Sequence, residues 1–290
     1  MKKKILLAIL ILALSSLACN ITIQTPQIKT GPETSTSVDE PYPETDDPAE
    51  LLLQMGAGTL NISDGGSSLV EGEIITNIAN WQPSIDRSDE RITISQGNND
   101  QSFTIPSGNL INEWNLKLGT TQPMELSIDA GAYESNIHIG DIQLKKFTID
   151  DGASNSKVTF ESVNRITMES LKYNTGASQV ELFNLANANF KEMDFDSGAG
   201  SYTLDFNGDL QQDAEVSIKS GLSNMKIIIP SDMNAQIILS GGVNNVSLKG
   251  TWTVSSDKYR TQSSTGPRLD IDIDMGVGNL ELISQESNSL

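Results

Sequence analysis

The chain has 290 residues, with 38 acidic against 19 basic side chains and a formal charge of −19. Such a field repels nucleic acid and anionic lipid headgroups, so neither is an expected partner. A single cysteine, Cys19, and a single histidine, His138, exclude a disulfide framework and a thiolate or multi-histidine metal centre.

Lys2, Lys3 and Lys4 precede an apolar run from Ile5 to Leu14 and then Ser15-Ser16-Leu17-Ala18-Cys19. A basic start, a short apolar core and a small residue before a cleavage point describe a secretory signal, not a spanning helix. Residues 1–19 resemble the bacterial lipoprotein signal, although Ser16 stands where leucine is commoner. That resemblance implies that Cys19 is lipidated and anchors an extracytoplasmic chain to the cell membrane; an ordinary signal with an incidental cysteine is the alternative. Loss of the three lysines leaves 16 basic against 38 acidic side chains, a formal charge of −22.

Residues 20–50 hold five of the ten prolines and seven acidic residues against one lysine, Lys29. Such a stretch buries too little apolar surface to offset the entropy of ordering it, and is expected to be a disordered tether. Residues 51–122 are expected to form a β-rich N-terminal domain. It opens on Leu53-Gln54-Met55-Gly56-Ala57, and its strand candidates alternate: Leu69–Ile75, Arg91–Ile94, Ser102–Ile105 and Trp114–Leu118.

Residues 123–284 repeat one phrase: an apolar residue, a polar one, any residue, Gly, then a small or apolar residue. The seven glycines are Gly131, Gly152, Gly176, Gly198, Gly221, Gly242 and Gly276, at intervals of 21, 24, 22, 23, 21 and 34. After each comes an alternating apolar pair: Ile137/Ile139, Val158/Phe160, Val180/Leu182, Tyr202/Leu204, Met225/Ile227, Val246/Leu248 and Leu280/Leu282. A steady period of this size marks stacked units that cannot bury an apolar face alone. The fold class is therefore all-β, a β-solenoid of coils of about 22 residues behind an N-terminal β-rich cap; a β-sandwich is the alternative. The glycine is expected to serve a tight turn through positive φ, and the small residue after it to turn inward at a crowded corner. The long last interval contains residues 251–267, expected to be an inserted hairpin or lid covering an exposed end; residues 285–290 are expected to be a disordered tail.

Gly56-Ala57-Gly58-Thr59-Leu60, Val70-Glu71-Gly72, Trp114-Asn115-Leu116 and Pro123-Met124-Glu125-Leu126, followed by Asp-x-Gly-Ala coils, resemble the bacterial toast-rack proteins. That group overlaps with adhesin-like β-solenoid domains and with the outer domain of certain cell-wall-stress regulators. The resemblance spans about residues 51–284 and implies stacked short strands outside a membrane. It supplies no catalytic residues.

Chemistry is sparse. His138 lies between Ile137 and Ile139 and is expected on the outer strand face as a solvated residue. Asp270, Asp272 and Asp274 alternate with apolar residues, so they share one face at steps of about 7 Å. Asp194/Asp196 form a similar pair, and Asp205–Asp209 reads as a polar loop. Oxygen clusters can hold calcium, yet neither the EF-hand nor the calcium-roll spacing is present, and solvated acidic faces are the expectation. Trp81, Trp114 and Trp252 are expected to pack at caps. The sequence therefore points to a non-enzymatic, lipid-anchored interaction module, adhesin-like by resemblance, without cofactor or metal. Its partner would be an envelope or extracellular protein or a glycan. A β-helical carbohydrate-active enzyme using paired carboxylates is the alternative.

Overall fold

The computed structural model describes residues 30–44, 47–97, 109–242 and 244–286. The strands are β1 (Thr34–Glu40), β2 (Ala49–Gly66), β3 (Val70–Thr76), β4 (Ser84–Arg87), β5 (Arg91–Ser95), β6 (Asn112–Gly119), β7 (Met124–Ile139) and β8 (Leu144–Phe160). They continue as β9 (Met168–Phe183), β10 (Phe190–Asp205), β11 (Ala214–Pro230), β12 (Asn234–Gly241), β13 (Asn244–Lys249), β14 (Thr253–Ser255), β15 (Lys258–Arg260) and β16 (Arg268–Gln285). Two short 3-10 turns, Ala79–Trp81 and Leu185–Ala188, are the only helical elements among the described residues.

Chain reach dictates the coil. Strand β7 spans 16 residues, a length of about 50 Å if straight. Four residues later β8 begins parallel to it and in register from Glu125 opposite Lys146 to Ile139 opposite Phe160. Four residues bridge only about 13 Å, so the strand must double back on itself. It does so at the glycine. In β7 the buried positions are Met124, Leu126 and Ile128 before the corner and Tyr133, Ser135, Ile137 and Ile139 after it, so the inward phase switches across Gly131. Each coil thus has one arm before its glycine, one arm after, and a short closing loop.

Apolar residues stack in vertical columns inside. On the leading arm Leu53, Ile128, Ile149, Tyr173, Phe195, Ile218, Ile273 and Leu239 are successive cross-strand neighbours. On the trailing arm Ile62, Ile137, Val158, Leu182, Leu204, Ile227, Leu282 and Leu248 do the same. The pairs predicted for the first two coils sit two residues further along, so Ile139 and Phe160 form a separate rung beyond that column.

The glycines themselves form a spine, for a different reason than turn geometry. None of Gly131, Gly152, Gly176, Gly198, Gly221, Gly242 and Gly276 has positive φ. Instead a Cβ on Gly176 would lie 2.4 Å from the carbonyl oxygen of Gly152, and one on Gly198 would lie 2.4 Å from that of Gly176. The same obstruction links Gly131 to Gly56 and Gly276 to Gly221, so backbones at the corner are too close for any side chain. The residues after the glycine point outward, with Ala132, Ala153, Ala177 and Ala199 all exposed, so the small inward residue expected there is displaced to the positions flanking it.

Two expectations are corrected by the topology, and one feature is new. Gly56 supplies an eighth rung: β2 pairs in parallel with β7 throughout, so one sheet crosses the boundary drawn at residue 122. The expected tether is partly folded. Strand β1 pairs antiparallel with β3, and Val38 is buried, because alternation around one valine suffices once a neighbouring edge supplies the backbone partners. The coils also do not stack in chain order: β16 lies between β11 and β12/β13. A Cβ on Gly242 accordingly meets Gly276, not Gly221. Residues 251–267 carry the hairpin β14–β15, which adds to β12. The strand predicted at Ser102–Ile105 lies outside the described residues.

Candidate functional site

The corner places two columns of side chains beside the glycine spine. Two positions before it, facing outward, stand Gln54, Asp129, Asp150, Asn174, Asp196, Lys219, Asp274 and Ser240, one per rung. Gln54 donates to Asp129 at 3.2 Å and Asn174 to Asp150 at 2.5 Å, so each amide partners one carboxylate, and Asn174 also stands between Asp150 and Asp196. One position before the glycine come Asp151, Thr175, Ser197 and Ser220 on successive rungs. Between the columns lies an open groove of about 760 Å³, lined by Asp150, Asn174, Asp196, Lys219 and Asp274 with Thr175, Ser197 and Ser220.

Behind the groove the interior turns polar. Asp151 accepts hydrogen bonds from Tyr173 Oη at 2.8 Å, Ser154 Oγ at 3.0 Å, Ser178 Oγ at 3.3 Å and Thr175 Oγ1. Hydroxyl donors hold this half-buried carboxylate, and no cation among the described residues pairs with it. Burial, then the Asp151 charge, pushes the Tyr133 phenol up to about 12. Burial, with Tyr133 and Asp151 nearby, raises Tyr173 well above its ordinary value. Among the described residues the Tyr133 hydroxyl is buried without a hydrogen-bond partner. Higher up, Ser197 donates to Ser220 at 3.0 Å and Ser220 to Ser223 at 2.7 Å, continuing a hydroxyl file along the corner.

The residues singled out by sequence are dispersed. His138 faces outward and contacts Glu161 Oε1 at 2.5 Å. Asp270 pairs with Arg268 at 2.6 Å, while register sets Asp272 between Ser217 and Ile238 and Asp274 between Lys219 and Ser240. These three acids run along a strand instead of converging, and among the described residues no group of three His, Cys, Asp or Glu could hold a metal. Asp194 lies 4.0 Å from Lys172, and Asp196 belongs to the corner column. Asp205 is no surface loop residue: it is buried, accepts from Asn207 N at 2.9 Å and Nδ2 at 2.6 Å, and burial raises its pKa against those bonds. Trp114 is fully buried among the N-terminal strands, and Trp252 packs at the far end. Cys19 lies outside the described residues. Sequence inspection missed the Asp151 cluster. Aligning the repeats and reading down the position before each glycine (Ala130, Asp151, Thr175, Ser197, Ser220) would have exposed it.

No helix among the described residues is long and apolar enough to cross a membrane. A search of curated proteins found no match. Among solved structures, a candidate cell adhesion protein from Clostridium sporogenes is 21% identical, with 88% of this chain and 99% of that one covered and a TM-score of 0.48. A candidate adhesin from Bacteroides fragilis is 9% identical, covering 89% and 99%, at 0.43. A candidate lipid binding protein from Parabacteroides distasonis is also 9% identical, covering 89% and 99%, at 0.44. The family model for the N-terminal domain of toast_rack, DUF2154, matches residues 28–169 and 163–228, which run from just before β1 into β11. With more than half of its length matched, this chain belongs to the toast-rack family.

Proposed function

We propose that this is a non-enzymatic binding module displayed outside the cell membrane by a lipid on Cys19. The observation that carries the reading is the corner groove. Its floor is backbone, since the spine admits no side chain, and its walls repeat carboxylate, amide, hydroxyl and amine groups at the strand spacing of about 4.8 Å. A rigid polar ladder of this kind suits an extended partner that offers hydrogen-bonding groups along its length, either a glycan or a protein segment of the envelope. The groove acids Asp150, Asp196 and Asp274 stand on one face, with Asn174 and Lys219 between them, and not opposed across a cleft as glycoside hydrolysis requires, which favours binding over the enzymatic alternative.

Two experiments test the halves separately. Labelled palmitate should enter the full chain and not a Cys19→Ser variant; equal incorporation removes the anchor. Envelope glycans and proteins retained by the purified chain should be lost from an Asp150→Ala/Asp196→Ala/Lys219→Ala variant that still folds. Unchanged retention by that variant removes the groove.

A further inference from the structure

The two arms of the coil end at different heights. Beyond β12 the leading arm continues with β15 and then β14, whereas the trailing arm stops at β13, with which only β16 pairs among the described residues. The hairpin therefore overhangs β13 by two strand levels, roughly 10 Å. The path is set by Gly250, at φ +80, where a Cβ would lie 1.8 Å from Ser284 O.

Below the overhang the core is unfinished. Leu280 and Leu282 on β16 are fully buried, but their neighbours on β13 are half-buried Val246 and Leu248, which is 42% exposed. Across the notch Val254 on β14 is 50% exposed, in the inward column that Tyr259 and Ile237 occupy one and two levels down. On the outer face Asn279 donates to Asn224 at 2.7 Å and Asn245 to Asn279 at 3.3 Å, leaving the carbonyl of Asn245 as the last acceptor of an amide ladder. Residues 244–260 carry Lys249, Lys258 and Arg260 against one acid, Asp257, in a chain of net charge −19, and Lys249 is exposed while also pairing with Glu281 of β16 at 2.6 Å.

We propose that the free edge of β13 is a strand-acceptor site for an extended, anionic segment of another protein. Such a segment would run parallel to β13. It would set apolar residues over Val246 and Leu248, a side-chain donor over Asn245 and a carboxylate over Lys249. Backbone hydrogen bonds supply affinity along an edge that is otherwise a liability, and the alternating side chains supply specificity.

A second copy of this chain fits the notch poorly, on strand count. If its β1 met β13, three strands (β1, β3, β6) would separate β13 from the next β2 on the trailing arm. The leading arm would have to place four in the same height: β15, β14, β4 and β5. One strand too many, about 4.8 Å, keeps whole copies apart and leaves room for a strand or hairpin.

The test uses the full chain and a fluorescein-labelled peptide Ser-Asn-Val-Ser-Leu-Asp-Gly, read by anisotropy. Binding should weaken about tenfold or more for a scrambled peptide of the same composition and for Leu248→Lys. Lys249→Glu should weaken it likewise, and a peptide with Lys in place of Asp should restore it. The Asp150→Ala/Asp196→Ala/Lys219→Ala groove variant should bind as the parent does, which separates this site from the corner. Thermal unfolding confirms that each variant folds. Equal binding of the scrambled peptide, indifference to Leu248→Lys, or absence of any anisotropy change overturns the proposal. So does concentration-dependent self-association abolished by Leu248→Lys, which would assign the edge to a second copy.

Discussion

The middle of the solenoid and its two ends are built on opposite rules. From β7 to β11 every rung is a parallel copy of the one below, with glycine over glycine and apolar over apolar. At the ends the phrase disappears. Antiparallel strands take over, β1 on β3 and β3 on β6 at one end and β14 on β15 at the other, and glycine no longer stacks on glycine. The middle is cooperative because each backbone must match two neighbours; the ends tolerate variety because they match one. Position in the stack, more than residue type, should therefore set the cost of a change.

The sharpest test is the spine. Gly176→Ala forces a Cβ to 2.4 Å from Gly152 O between two fixed backbones, and should cost more than about 3 kcal/mol or abolish folding, as read by urea unfolding. Gly65→Ala, with positive φ but nothing within 4 Å, should cost only about 1–2 kcal/mol. Equal costs would mean that the close stacking is not what selects glycine. Next, Phe195→Ala in the middle should destabilise by about 3–5 kcal/mol, while Leu248→Ala in the end coil should cost under about 1 kcal/mol.

The closing loops give a smaller effect. Asn187 donates to Phe160 O at 3.1 Å and accepts from Asp209 N at 3.0 Å, tying three loops together. Asn187→Ala should cost about 1–3 kcal/mol by stranding those groups.

The polar interior gives the smallest effects and a pH signature. Tyr173→Phe removes a donor to Asp151 and should destabilise by about 1 kcal/mol, whereas Tyr133→Phe removes an unpartnered hydroxyl and should be neutral or stabilising. Because burial raises the Tyr133 phenol, this group costs no stability below pH 10, and the fold loses stability as pH rises from there through about 12. Tyr133→Phe should accordingly flatten alkaline unfolding in that window. Asp205 follows the same sign at the acid end: its raised carboxyl contributes in full below 3.8 and loses that contribution as pH climbs through its folded value. Asp205→Asn should remove that slope.

The regular middle was largely legible from sequence because each rung repeats the same demand. Alternation fixed which residues of β7 to β11 face inward, and the glycine interval fixed the coil. The reason for the glycine was not legible. A spine of close backbones and a positive-φ turn ask for the same residue, and only the Gly176–Gly152 approach separates them. Strand β1 was hidden because Thr34–Glu40 has the composition of an unfolded linker and owes its order to an edge thirty or more residues away in sequence. Nor could spacing show that β16 enters below β12, since both copies carry the phrase equally well. Within the site, the groove acids were visible one at a time, while their columns appear only when rungs are superposed.

The placement of β16 has a consequence for how the molecule is completed. Because β12 and β13 touch β11 nowhere in the ladder, they have no floor until the last strand slides in beneath them. A chain emerging amino end first can zip coil upon coil as far as Pro230, then must hold an unsupported flap until residues 268–285 arrive to clasp it. Strand β16 is thus a keystone and not a fringe: removing it takes a course from within the wall and releases the flap above it.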